Sequence, residues 1–138
     1  MDRIQLQSFS QPALTQANQI TSQYGLVLTE QQMLSLLQQR QEALEATGRV
    51  EFGDGVLHLL AERFCDSPFL CPANYEETLG ELQALFYYFK NECRDRLTDR
   101  EVLDGMKRLF DGVAQGATED LAGVPVEALT DLDWKGDW

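Results

Sequence analysis

Residues 75–93 read YEETLGELQALFYYFKNEC. Within them Tyr75, Leu79, Leu82, Phe86, Phe89 and Cys93 recur at alternating spacings of four and three. At 3.6 residues per turn that spacing keeps the six side chains in one stripe. The stretch is therefore an α-helix with one face in a core. Asn74 is placed to cap Glu77 at its start, and the pattern runs to about Arg96.

A second helix follows at once. Thr98 and Glu101 form a capping box, in which each side chain satisfies the other residue's backbone N–H. Val102, Met106, Leu109 and Val113 then continue at spacings of four, three and four. Leu97 alone separates the two patterns. So short a join predicts an antiparallel hairpin, about 74–96 and 98–113, with the two apolar stripes facing each other.

Upstream, Thr29 and Gln32 make another capping box, Met33, Leu37 and Leu44 with Leu34 beside them give a buried face, and Gly48 is a stop. A first helix is expected from Pro12, suited to a first turn, to Tyr24, before Gly25. A helix from Gly55 to Asp66 buries Leu57, Leu60, Ala61 and Phe64, and Ser67-Pro68 breaks it. Phe69 and Leu70 then need a pocket. Arg49 to Asp54 alternates polar and apolar residues, as a short extended piece or hairpin arm would, with no sheet to join. Beyond Gly116 come short turns over 118–122 and 126–132. The expected architecture is all-α: a single domain over 1–138, a bundle of about five main helices around a central hairpin. Its acidic tail, 124–138, is either docked or free.

The formal charge of −12 argues against a nucleic-acid backbone or an anionic membrane as partner, since both are bound through Lys and Arg. Residues 111–138 alone hold seven acids against Lys135. No run nears the roughly 20 apolar residues that cross a bilayer. Three cysteines suit reduced thiols in a cytoplasm better than a secreted disulfide framework.

Chemistry is sparse. His58 is the one histidine. With Cys65 it suggests a base and a nucleophile. Seven residues apart on one helix, they stand about 10 Å apart along the axis, too far to act on each other directly. His58, Cys65, Cys71 and Cys93 are zinc-ligand types, but no Cys-x-x-Cys or His-x-x-x-His spacing joins them. Asp131 to Asp137 opens like a calcium loop, yet Lys135 occupies its fifth position and the bidentate glutamate is absent. Glu76-Glu77 and Glu119-Asp120 fall in first turns, where carboxylates complement the helix dipole. Phosphate-loop and dinucleotide fingerprints are absent, and no cofactor is expected.

Tyr87 and Tyr88 lie on opposite flanks of the face away from the core stripe. Either their helix is covered on several sides or the rings form a partner surface, a use that suits a rigid apolar body with a wet hydroxyl. Asn91, on the same helix, and Phe69, in the loop, join them as candidate contacts. Trp134 and Trp138 are expected to dock on a partner, to fold back on the chain, or to stay disordered.

Several segments together resemble a bacterial family of short proteins known only as a domain of unknown function. They are Tyr24-Gly25-Leu26, Gly48 to Gly53, Phe64 to Phe69, Asn74 to Leu79, Phe86 to Glu92, Phe110-Asp111-Gly112 and Gln115-Gly116, spanning roughly Tyr24 to Gly123. The resemblance implies a bacterial cytoplasmic protein and brings no activity, cofactor or catalytic residue. The expected function is a non-enzymatic interaction or adaptor module, binding an unidentified protein or itself. The alternative is a small enzyme or thiol- or metal-dependent sensor that uses Cys65 and His58.

Overall fold

The computed structural model describes the backbone of residues 3–134 and the side chains of residues 11–134. All regular structure among them is helical. In order come α1 (Arg3–Thr21), a 3-10 turn (Ser22–Tyr24), α2 (Glu30–Thr47), α3 (Leu57–Phe64), α4 (Tyr75–Glu92), α5 (Asp99–Asp111), α6 (Thr118–Ala122) and a last 3-10 turn (Val126–Leu129).

α4 forms the middle of the bundle, packing against α2, α3, α5 and α6, with α2 its most extensive neighbour. All six stripe residues are buried. So are Thr78, Gly80, Gln83, Tyr87 and Lys90, which belong to other faces of the helix. A helix covered on one side would leave those faces polar and wet; here Gln39 of α2 stands over Gly80, Gln83 donates to the Leu36 carbonyl of α2, and Lys90 is covered by the segment that leads into α5. The buried apolar side chains of α1 to α6 join in one core. No described helix is long and apolar enough to cross a membrane.

Local chemistry sets the helix ends. The capping boxes at Thr29 and Thr98 both form. Gly48, with φ +67, closes α2 in a left-handed cap, its N–H on the Glu45 carbonyl and that of Arg49 on Leu44. α4 ends at Glu92, four residues before the expected Arg96. The N–H of Arg94 bonds to the Asn91 carbonyl and that of Asp95 to Lys90, the same closing motif built without glycine. Arg94 and Asp95 take φ of 54° and 57° to make it. The join to α5 is thus six residues long, held by Lys90 Nζ on the Leu97 carbonyl at 2.8 Å and on Asp99 at 2.9 Å.

Other boundaries also move. α1 begins well before Pro12, so the proline lies inside the helix and not in its first turn. Asn74 makes no capping bond. Its Oδ1 accepts from the Cys71 N–H at 2.9 Å and its Nδ2 donates to the Phe69 carbonyl at 3.1 Å, tying the loop before α4. Residues 49–54 form no strand. In the tail, Val124, Ala128 and Leu129 are buried, and Arg108 donates to the Ala128 carbonyl at 2.6 Å.

Candidate functional site

The segment after α2 turns its alternation inside out. Gly48 sends the chain back toward α4, where the Arg49 guanidinium donates to Asn91 Oδ1 and Asp95 Oδ1, both at 2.7 Å. Two residues on, Glu51 Oε1 accepts from Arg40 Nε of α2 at 2.8 Å and from the Tyr87 hydroxyl of α4 at 2.5 Å. Arg40, itself buried, also reaches the Gly53 carbonyl at 3.5 Å. Gly55, with φ +73, passes so close that a Cβ there would fall 2.7 Å from Arg40 Nε. The polar members of the alternation therefore face the protein. The apolar members face water: Val50 is 78% exposed and Phe52 89%.

Electrostatics favour this arrangement. Burial works against the Arg40 charge, but the hydrogen bond and charge of Glu51 outweigh it and raise its pKa. The Tyr87 phenol is pushed well above the ordinary tyrosine range, first by burial and then by the neighbouring Glu51 charge. It stays a neutral donor. A guanidinium this deep is tolerable only with a carboxylate beside it. That need pulls Glu51 inward and leaves Val50 and Phe52 on the outer side.

The four candidate contact residues separate. Tyr87 is 1% exposed and offers no surface; burial between α2 and the loop makes it a structural donor. Tyr88 is 42% exposed. Asn91 is exposed, but its side chain is occupied, accepting from Arg49 and donating to the Thr47 carbonyl at 2.8 Å. Phe69 is half-buried, edge-on to Phe110 with ring centres 6.2 Å apart, and its ring fills the space a Cβ on Gly116 would need.

Cys65 closes the end of α3, buried, with Sγ donating to the Glu62 carbonyl at 3.2 Å. Burial, and then the charge of Asp66, raise its pKa, the reverse of what an attacking thiolate needs. His58 stands near the other end of α3, half-buried, its buried Nδ1 without a hydrogen-bond partner. The two are not brought together. Cys65, Cys71 and Cys93 are free thiols. Among the described residues no group of three or more His, Cys, Asp or Glu is placed to hold a metal ion. Of the calcium-like segment, Lys135 to Asp137 lies outside the described residues, as does Trp138; Trp134 packs half-buried against the core.

Among the described residues Phe52 carries the largest apolar exposure, with Val50 and Leu132 next at 78% each, and sequence reasoning did not single out Val50 or Phe52. Their alternation was visible; the direction it faces depends on Arg40, ten residues upstream, being buried. A model for a family of unknown function, DUF6323, matches residues 13–133. No curated protein matches the chain, and no solved structure does.

Proposed function

The chain belongs to DUF6323, a family to which no activity is attached, and from that premise we propose that it works as a non-enzymatic protein-interaction module. One observation carries this: a loop clamped at Arg49 and Glu51 holds Val50 and Phe52 out in water. Apolar side chains displayed on a fixed backbone lose little freedom when a partner covers them, so more of the burial energy appears as affinity. Covering a phenylalanine and a valine contributes about 1.5–3 kcal/mol for each side chain. Aromatic anchors of this kind dominate interfaces. Tyr88 remains a second candidate contact on the far flank of α4.

A photo-crosslinking amino acid placed at position 52 in living cells tests the idea. Discrete adducts are expected from position 52 and none from position 38, an exposed site on α2. The adducts should vanish when Val50→Ser is added. Identical adduct patterns from both positions would remove the loop as the contact.

A further inference from the structure

Beyond the loop, α4 carries a second, weaker apolar stripe that the core covers only in part, with Leu85 half-buried against it. Ala84, Leu85 and Tyr88 line one side of an open cleft of about 590 Å³, and Ala122 of α6 lines the other. The floor is low because alanines stand at 84 and 122, where longer side chains would fill the gap. The Tyr88 ring is held against that of Phe89 at 5.3 Å between centres.

The walls have one sign. Glu81 and Glu119 line the cleft, and no cation does. Exposed Glu77 lies one turn before Glu81, Glu92 one turn after Tyr88, and Asp120 beside Glu119. Thr118 donates to Glu81 and fixes that carboxylate at the rim. An apolar trough between two helices, with alanines where a backbone must come close, has the shape that accepts a third helix by its apolar face. The carboxylates on both sides select a helix whose flanks carry Lys or Arg, and they repel phosphate-bearing surfaces. A second copy of this chain, with the same charge of −12, is a poor occupant.

We propose that the cleft between α4 and α6 is a docking groove for a basic amphipathic helix of a partner protein. This surface lies on the opposite flank of α4 from the Val50–Phe52 loop and does not depend on it. Two surfaces on one small body would let the chain hold two partners at once.

The probe is a fluorescent Leu/Lys amphipathic peptide of about five helical turns, with its Leu/Glu counterpart as control, followed by fluorescence anisotropy against the full chain. The Leu/Lys peptide is expected to bind, weakening as salt rises, and the Leu/Glu peptide is not. Ala84→Arg and Tyr88→Ala, each checked for unchanged helical circular dichroism, should weaken binding at least tenfold. The Glu81→Lys/Glu119→Lys variant should do the same, and Val50→Ser/Phe52→Ser should leave it intact. No binding to the wild-type chain overturns the proposal. So does binding that survives every groove variant, which would be adsorption to a generally acidic surface, or binding that only the loop variant removes. The last outcome would leave the loop as the interaction surface, so the two proposals fail separately.

Discussion

Arg40 Nε meets Glu51 Oε1 at 2.8 Å, and this pair decides which way residues 49–55 face. The Arg40 side chain is 4% exposed and that of Glu51 20%. α2 places a guanidinium in the interior, and the loop must return a carboxylate to it. The Tyr87 hydroxyl adds a third member from α4, so one cluster joins α2, the loop and α4.

Removing one partner of such a pair costs more than removing both. Glu51→Ala leaves the Arg40 charge buried and should destabilise by about 2–4 kcal/mol, toward the lower end because Glu51 keeps some contact with water. The double variant Arg40→Met/Glu51→Leu should cost less than Glu51→Ala alone. Urea unfolding of the three proteins gives the comparison. A double variant as unstable as the single one would show that the charges are not coupled.

Two phenols should resist alkali. Burial pushes Tyr75 up to about 12, and Tyr87 is raised as well. The neutral form is thus favoured in the folded chain. The stability linked to Tyr75 is fully present below its unfolded value of about 10 and is lost as pH climbs through about 12. Ultraviolet titration should show a tyrosinate step near pH 12 that Tyr75→Phe removes. A wild-type titration with all tyrosines ionising near the free value would contradict the packing of α4.

On the acid side the loop has a surface clamp. The Arg49 hydrogen bond, aided by its charge, holds the exposed Asp95 carboxyl below the usual aspartate range. Its contribution is present above the unfolded value of about 3.9 and fades as pH falls through the lower folded value. Carboxyl NMR titration should find Asp95 depressed in the wild type and near normal in Arg49→Gln. Asp95→Asn tests the charge alone, because asparagine tolerates the left-handed φ of 57° found there.

What was legible in the sequence depended on how far each cause reached along the chain. The stripe of α4, the boxes at Thr29 and Thr98 and the buried face of α3 are set within one or two turns, and all appear as read. The end of α4 was missed because Arg94 and Asp95 adopt a conformation usually left to glycine. Asn74 was misassigned because its side chain had a competing use, bridging Cys71 and Phe69. The tyrosine pair could not be separated on helical angle alone. Tyr87 is buried by Arg40 and Glu51, from α2 and the loop that follows it, whereas Tyr88 faces the gap left by two alanines.

Two buried glycines make opposite demands on their helices. In a helix interior alanine is favoured over glycine by about 1 kcal/mol, so propensity alone would make Gly80→Ala and Gly105→Ala equally stabilising. A Cβ on Gly105 would run into the Leu129 carbonyl and stand 2.8 Å from its Cα. Leu129 cannot step aside, since Arg108 holds the carbonyls of Ala128 and Leu129 and its own side chain is buried. The nearest atoms a Cβ on Gly80 would meet are the amide end of Gln39, a flexible side chain held by a bond to Ser35 Oγ at 3.3 Å. Gly105→Ala should therefore cost about 1–3 kcal/mol and lower Tm, while Gly80→Ala should be neutral or stabilising by up to about 1 kcal/mol. Thermal melts decide it. Similar shifts in both variants would mean that Leu129, in the last 3-10 turn, is not seated against Gly105 of α5.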